Sequence, residues 1–270
     1  MILQLMQYKL KLGSICLLAV NMLNSLEEIH NQNIVHRNLK PRKIITDSDL
    51  KSQQLYIIDF KYSQKYKNKN GNIQKYSEND KVLSRVFCNK FSSINTHLGI
   101  SASRKDDLES LGYIFIYIFR NGQLFTKKNI TSKDEKLKYY EELKLNFIPE
   151  ILSNYNIPQE FINYMNYVKS LSVLDIPDYD YWKKIFKQLP QKMNFPLSDY
   201  KYEWVFKIYI FFILYFFLEQ YNLKLIKQYY EYKLNLISKN LKSYRIIIIN
   251  LSKQLKYNRK LRINLQQLRK

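Results

Sequence analysis

Apolar residues near the N-terminus repeat at the spacing of an α-helix. Between Ser14 and about His30 they recur every three or four positions, as Ile15, Leu18, Met22, Leu26 and Ile29. One apolar stripe of this kind is typical of a helix that packs against a core, and serine is a favoured N-cap residue. The pattern therefore predicts a helix that begins at Ser14.

Short β-like segments follow this helix, and polar turns separate them. The segments are residues 34–35, 43–46 and 55–58, in which isoleucine is frequent, as it is in strands. Residues 61–80 are polar and rich in Lys, Asn and Tyr, which predicts a loop.

The remaining elements up to residue 189 are predicted to be helices. Residues 106–120 are apolar nearly all round after Leu108, which is typical of a helix buried in a core. Further helices are predicted at residues 133–145, 159–171 and 179–189, with Pro149, Pro158, Pro177 and Pro190 near their ends. By itself, the pattern predicts a mainly α domain with a small sheet.

The charge of the chain is strongly positive and unevenly distributed. The net charge is +21, and residues 205–270 contribute 14 Lys or Arg against Glu219 and Glu231 alone. Such a charge suggests an acidic partner, which would be nucleic acid, an anionic membrane or acidic peptides. The alternative is a solvated surface in a chain generally rich in Lys, Asn, Ile and Tyr. The composition changes near Trp204, which predicts a boundary between residues 1–204 and 205–270.

The C-terminal tail, residues 205–270, contains two apolar patterns. Residues 208–218 are wholly apolar, but eleven residues are too few for a membrane span of about 20. Residues 230–255 combine one apolar stripe with interspersed Lys and Arg, which predicts a basic helix. Such a helix could coil with a partner, lie on an anionic membrane, bind a calmodulin-like protein or pack on the preceding domain.

Cysteine and histidine are scarce. Cys16 and Cys88 make neither a disulfide framework nor a metal-binding pattern, and the three histidines have no cysteine neighbours. The chain is therefore predicted to be cytoplasmic, with membrane association available through the tail.

Four motifs that follow one another along the chain carry the most specific information. They are HRNLKP at residues 36–41, IIDF at 57–60, SINTHLGISASRKDDLESLG at 93–112, and PQEF at 158–161 followed by PDY at 177–179. Together they resemble the casein kinase 1 family of protein kinases over about residues 14–204. The resemblance implies a protein-kinase-like C-lobe with small β-hairpins. No Gly-rich loop or strand lysine is found ahead of His36, so the N-lobe is expected to be absent.

The resemblance also implies roles for individual residues. The family's catalytic loop reads H-R-D-x-K-P-x-N, in which the Asp is the base, the Lys binds the γ-phosphate and the Asn ligates a metal. Here Asn38 and Lys40 stand at the catalytic positions, and Lys43 stands at the metal-ligand position. Loss of a positioned base typically costs about 10²–10⁴ in rate. An ammonium has no acceptor, so Lys43 cannot bind Mg²⁺, although its charge could occupy the place of the metal.

Other matching positions divide into metal-binding, structural and substrate-binding residues. Asp59 is expected to bind metal and cofactor, whereas His36, Arg37 and Asp107 are expected to hold the catalytic loop. Lys90 replaces an arginine that binds an acidic or phosphorylated group. The expected family cofactors are ATP and Mg²⁺, but none is expected for this chain alone. Cys88 replaces a threonine that contacts the catalytic Asp.

The sequence thus predicts a casein-kinase-1-like pseudokinase fragment, inactive as an enzyme, that acts in protein binding or scaffolding. One alternative is an active Ser/Thr kinase whose N-lobe is missing from the given sequence. Another is a basic membrane-associated adaptor that acts through the tail. The expected partners are a protein or acidic peptides and, through the tail, an anionic membrane surface, with no specific nucleic acid.

Overall fold

The computed structural model describes residues 10–46, 54–68, 71–72, 88–100, 103–125, 130–147 and 149–192. Apart from Thr46, these residues belong to one compact unit formed by Ile2–Ile45 and Gln54–Glu203. The predicted tail helix, the apolar run at 208–218 and half of the predicted loop at 61–80 lie outside the described residues.

The described part is mainly α-helical, as the apolar pattern predicts. Its helices are α1 (Leu12–Asn31), α2 (Ile94–Leu98), α3 (Arg104–Phe119), α4 (Lys133–Leu145), α5 (Gln159–Ser170) and α6 (Tyr179–Gln191). Its strands are β1 (Ile34–Val35), β2 (Ile44–Thr46), β3 (Leu55–Ile57) and β4 (Gln64–Lys65). Short 3₁₀ helices occur at Pro41–Lys43, Phe60–Tyr62 and Pro149–Tyr155.

The strands form two small two-stranded sheets. In one, β1 pairs antiparallel with β4, with Ile34 opposite Lys65 and Val35 opposite Gln64. In the other, β2 lies beside β3. Leu55 and Ile57 are buried and Tyr56 is exposed, the alternation expected of a strand with one covered face. These strands bring the segments after β1 and after β3 close together.

Helix α1 lies in the core. Ile15, Leu18, Met22 and Leu26 are each at most 2% exposed, which confirms the predicted stripe. The helix begins two residues earlier than predicted, because Lys11 is the N-cap and Ser14 is buried inside the first turn. By length and composition α1 could cross a membrane, but 67% of its apolar window is buried within the protein. It packs against α6 and α3 as a core helix.

Helix α3 is the other central element, and it is buried nearly all round as predicted. Its N-terminus is held by Asp106, whose Oδ2 accepts from the Ser103 backbone N–H at 2.6 Å. A Cβ at Gly112 would lie 2.0 Å from Met165 Sδ, so the glycine allows α5 to approach closely. Phe115 joins the two helices through an edge-to-face contact with Phe161 at 5.2 Å.

Helices α4, α5 and α6 form where the pattern predicts them. The bounds of α4 match the prediction, and α5 ends one residue earlier. Ser132 and Asp178 cap α4 and α6 by accepting from backbone N–H groups three residues ahead. Pro190 lies inside the last turn of α6 rather than after it.

Candidate functional site

Asp107 holds the backbone of the segment that follows β1. It lies in the first turn of α3 and is 1% exposed. Its Oδ2 accepts from the His36 N–H at 2.6 Å, and its Oδ1 accepts from the Arg37 N–H at 2.8 Å. Burial favours a raised pKa for this carboxyl, but these bonds and the one with His30 bring the pKa below its usual value. This geometry is what the predicted role of Asp107 requires.

His30 is a member of this network that the sequence reasoning missed. Its Nε2 lies 3.0 Å from Asp107 Oδ2, and its Nδ1 lies 2.5 Å from the Tyr179 hydroxyl. The His30 ring therefore connects Asp107 to Tyr179 through both of its nitrogens. His30 follows Met22 and Leu26 at intervals of four, so a polar residue on the buried stripe is the signal that could have revealed it.

His36 and Arg37 are both buried, consistent with the predicted scaffold roles. The His36 Nε2 lies 3.2 Å from the Ile58 carbonyl, and its Nδ1 is 3.3 Å from the Asn38 N–H. Burial lowers the pKa of His36, which favours the neutral ring that these two bonds need. Arg37 has a positive φ of 66° and donates to Gln64 Oε1 at 2.6 Å. The two residues thus connect β1 to the segments around Ile58 and β4.

Lys43 and Asp59 form an ion pair at the predicted metal position. The Lys43 Nζ lies 3.0 Å from Asp59 Oδ2 and 3.3 Å from the Asp59 carbonyl oxygen. The Lys43 side chain is 3% exposed, whereas that of Asp59 is 49% exposed. Burial lowers the pKa of Lys43, and the hydrogen bond from Lys43 lowers the pKa of Asp59. The ammonium therefore contacts Oδ2, one of the two carboxylate oxygens that a metal at Asp59 would use.

These residues do not fit the Mg²⁺ that the family resemblance implies. Lys43 supplies no acceptor and places a positive charge against Asp59. No group of three or more His, Cys, Asp or Glu residues suited to a metal occurs within the part of the chain that the structure describes. Asp59 itself adopts a left-handed conformation with φ 67°, at the start of the 3₁₀ helix Phe60–Tyr62.

Lys40 lies beside this pair in a basic environment. It precedes the 3₁₀ helix that contains Arg42 and Lys43. Burial, followed by repulsion from Arg42 and Lys43, lowers the pKa of Lys40 to about 8. Lys40, Arg42 and Lys43 therefore lie close enough to repel one another, and Lys43 is the one that contacts the Asp59 carboxylate.

Asn38 is buried next to the segment that precedes α2. Its Oδ1 accepts from Asn89 Nδ2 at 3.3 Å. Cys88 was expected beside Asn38 by resemblance, but its Sγ lies 3.3 Å from His97 Nδ1. Burial raises the pKa of Cys88, so its thiol is protonated and a poor nucleophile. Asn89 is thus the contact of Asn38 that the resemblance did not reveal.

Lys90 belongs to this segment, and its ammonium lies over two aromatic rings. Its Nζ is 4.4 Å from the centre of the Tyr117 ring and 5.1 Å from that of Phe91. Burial lowers the pKa of Lys90. These contacts describe a cation on an aromatic surface, and whether Lys90 also binds a phosphate stays a prediction.

Lys144 is a buried cation that the sequence reasoning also missed. It lies in the last turn of α4, where its Nζ donates to the Ser92 carbonyl and is 3.0 Å from His97 Nε2. Burial lowers the pKa of Lys144 to about 7, and it lowers the pKa of His97 to about 3. Leu137 and Tyr140 precede Lys144 on the same face of α4, but most of this helix is polar and a lysine is rarely buried, so the pattern alone does not reveal it.

Comparison with known families agrees with this arrangement. A sequence model of the family described as Protein kinase domain matches residues 4–189, which is more than half of the chain. The match contains β1 to β4, the Lys43–Asp59 pair and all six described helices except the last residues of α6.

Proposed function

The chain belongs to the protein kinase family, and from this premise we propose that it is a catalytically inactive, casein-kinase-1-like member. Its function is to bind or scaffold other proteins. The family gives the fold, while the residues at the reactive positions argue against phosphoryl transfer.

The ion pair between Lys43 and Asp59 carries this proposal. Kinases neutralise the phosphates of ATP with metal ions, and catalysis of phosphoryl transfer is mostly positioning and charge stabilisation. Here the Lys43 ammonium lies 3.0 Å from the carboxylate that would hold the metal. Asn38 adds a second defect, because an amide cannot accept the proton of a substrate hydroxyl.

Hydrogen bonds nevertheless hold the scaffold around these positions. Asp107 holds the backbone N–H groups of His36 and Arg37, and His30 connects Asp107 to Tyr179. A preserved frame with altered reactive residues favours a binding role over a catalytic role.

Three exposed apolar side chains support protein binding. Tyr56, Ile58 and Phe60 are 45%, 37% and 42% exposed, and they follow one another at alternate positions from β3 onward. Two basic side chains are also exposed: Arg42, which precedes Lys43, and Lys61, which follows Phe60. We therefore propose a partner segment that combines acidic with apolar side chains, since it would match both features.

A phosphotransfer assay tests the inactivity. The full chain is incubated with labelled ATP, Mg²⁺ or Mn²⁺ and acidic serine peptides, and no transfer above background is expected. The matched control is Asp59→Asn, which removes the remaining carboxylate. Transfer by the wild type that disappears in Asp59→Asn would contradict the proposal, since a contaminating kinase would be unaffected by the substitution.

A photo-crosslinking experiment tests the binding role. A photoreactive amino acid in place of Tyr56 should form adducts with an acidic partner, and the same amino acid in place of Lys136, on the exposed face of α4, should not. The purified partner should then bind the wild type and lose affinity for Ile58→Ser. Equal adducts at both positions would count against a specific surface.

The membrane-adaptor alternative depends on residues 205–270, which lie outside the described residues.

A further inference from the structure

The turn between α5 and α6, residues 171–178, presents two apolar side chains to solvent. Leu174 and Ile176 are 71% and 78% exposed, the highest values among the large apolar side chains of the described part of the chain. We propose that this turn is a docking site for a partner protein segment in which Lys or Arg side chains lie beside apolar side chains. It differs in residues and in charge from the surface proposed above for an acidic partner, and it does not depend on the inactivity of the chain.

Two cationic side chains of α3 hold the backbone of this turn. Arg104 Nη2 donates to the carbonyl oxygens of Leu174 and Asp175, at 3.1 Å and 2.8 Å. Lys105 Nζ donates to the Leu171 carbonyl oxygen at 2.8 Å. Hydrogen bonds from charged donors are stronger than those from neutral donors. The backbone of the turn is therefore fixed on α3 before any partner binds.

Hydrogen bonds within the turn also hold its shape. The Ser172 N–H donates to Asp175 Oδ2 at 2.7 Å, and the Leu174 N–H donates to Ser172 Oγ at 3.3 Å. Near its end, the Asp178 N–H donates to the hydroxyl of Tyr167, which belongs to α5, at 2.6 Å. A turn whose shape is already fixed loses little conformational entropy on binding, which favours affinity. The two apolar side chains are thus presented to solvent by a well-bonded backbone.

Carboxylates are the more exposed charges at the turn. Asp175 and Asp178 are exposed, and the Asp180 side chain, in the first turn of α6, is 89% exposed. The cations beside them are more buried. Arg104 is 7% exposed, and the Lys183 side chain, which lies 2.7 Å from the Asp180 carboxylate, is 13% exposed. A chain with a net charge of +21 therefore carries a local acidic surface, which suits a basic partner.

Tyr181 is a third exposed apolar side chain close to the turn in sequence. It is 51% exposed, and its backbone N–H donates to Asp178 Oδ1 at 2.9 Å. Exposed lysines of α6 begin at Lys184, so the acidic surface is confined to the turn and the start of the helix. Exposed apolar side chains bordered by polar ones are typical of protein-binding surfaces. The partner's apolar side chains would cover Leu174 and Ile176, and its Lys or Arg groups would meet the carboxylates.

The same carboxylates argue against other occupants of the turn. A symmetric dimer through this turn would place the carboxylates of one copy against those of the other, and like charges across an interface are repulsive. An anionic membrane surface or an acidic peptide would be repelled for the same reason. A segment with basic and apolar side chains is the occupant that satisfies both features of the turn.

Fluorescence anisotropy with the full chain tests the proposal. The probe is a short labelled peptide composed of Leu and Lys, and a peptide composed of Leu and Glu is titrated in parallel. The double variant Leu174→Ser, Ile176→Ser should bind the Leu–Lys peptide at least about tenfold more weakly than the wild type, since the peptide would cover both side chains. The matched control is Leu145→Ser, which changes an exposed leucine at the end of α4 and should leave the affinity unchanged.

Charge substitutions test the choice of a basic partner. Asp175→Asn combined with Asp180→Asn removes two charges and keeps the shape of both side chains, and Asn can still accept the bond from the Ser172 N–H. This variant should bind the Leu–Lys peptide about threefold more weakly at about 0.15 M salt. The difference should shrink at about 1 M salt, where the Debye length falls from about 8 Å to about 3 Å. Asp134→Asn, on the exposed part of α4, is the matched control and should have no effect.

Several results would overturn the proposal. One is a wild type that does not bind the Leu–Lys peptide, and another is a Leu174→Ser, Ile176→Ser variant that weakens binding no more than Leu145→Ser does. Equal weakening of the Leu–Glu peptide by the double variant would show that the turn does not select a basic partner. A wild type that is dimeric in light scattering, with a monomeric double variant, would make a second copy of the chain the occupant. The Tm of each variant should match that of the wild type, because the substituted side chains are exposed.

Discussion

Removing Asp59 should destabilise the protein more than removing its partner Lys43. The ion pair is unequal, because the Lys43 side chain is 3% exposed and that of Asp59 is 49% exposed. Asp59→Asn leaves a buried ammonium without its counter-charge. Breaking a fully buried pair costs about 3–5 kcal/mol, and the half-exposed carboxylate reduces the expected cost to about 1–3 kcal/mol. Lys43→Met removes the buried charge and fills a similar volume, and Asp59 keeps its contact with water. Its cost should lie within about 1 kcal/mol of zero.

Thermal unfolding followed by circular dichroism measures this difference. For a domain of about 150–250 residues, 1 kcal/mol corresponds to about 2–4 °C in Tm. Asp59→Asn should therefore lower Tm by roughly 2–12 °C, and Lys43→Met should change it by at most about 4 °C. The double variant should resemble Lys43→Met, because a carboxylate without the lysine contributes little. A larger loss in Lys43→Met than in Asp59→Asn would refute the reasoning, since it would mean that the attraction outweighs the burial of the lysine.

Three further predictions concern other buried or basic groups. The stability of the wild type should increase as pH rises from about 7 towards 10.5, because burial lowers the pKa of Lys144 to about 7 and the unfolded chain holds that proton longer. The free energy of unfolding is measured by urea titration at pH 7 and at pH 9.5. The gain between the two pH values should be smaller in Lys144→Met than in the wild type, and an equal gain would contradict the lowered pKa of Lys144. Asp107→Ala should cost about 3–5 kcal/mol, measured by urea unfolding, because it strands His30 and two backbone N–H groups; a loss below 1 kcal/mol would contradict it. The full chain should bind phosphatidylserine vesicles through residues 205–270 with about 1 kcal/mol per basic side chain that reaches the surface, and less as salt rises. Equal sedimentation with neutral vesicles would refute this charge dependence.

The helices were predictable because their signals are local. The stripe from Ile15 to Ile29 marks α1, and the continuous apolar run marks α3 as a core helix. The ends were less predictable, since Lys11 rather than Ser14 caps α1. Ser14 is a good N-cap residue by type, but it is buried in the first turn of α1 and the helix begins before it. Helix ends can be predicted only to within one or two residues.

The site was predictable only in part because its contacts are long-range. His30 and Tyr179 are 149 residues apart in the sequence, and Lys144 is 52 residues from Ser92. No periodicity connects such pairs. The resemblance to a kinase catalytic loop identified Lys43 and Asp59 as positions of interest. Their direct contact depends on how the segment after β1 folds against the segment after β3, which only the three-dimensional arrangement contains.

The two altered residues of the site each have a partner that suits the alteration. Lys43 contacts the carboxylate of Asp59, and the Asn38 amide accepts a bond from Asn89. A buried charge or amide left without a partner costs several times more than one that is bonded. If the chain is inactive as proposed, the fold therefore accommodates Asn38 and Lys43 at little cost in stability. The proposed inactive scaffold would keep the positive charges of Lys40 and Arg42 at its surface, which suits the acidic partner proposed above.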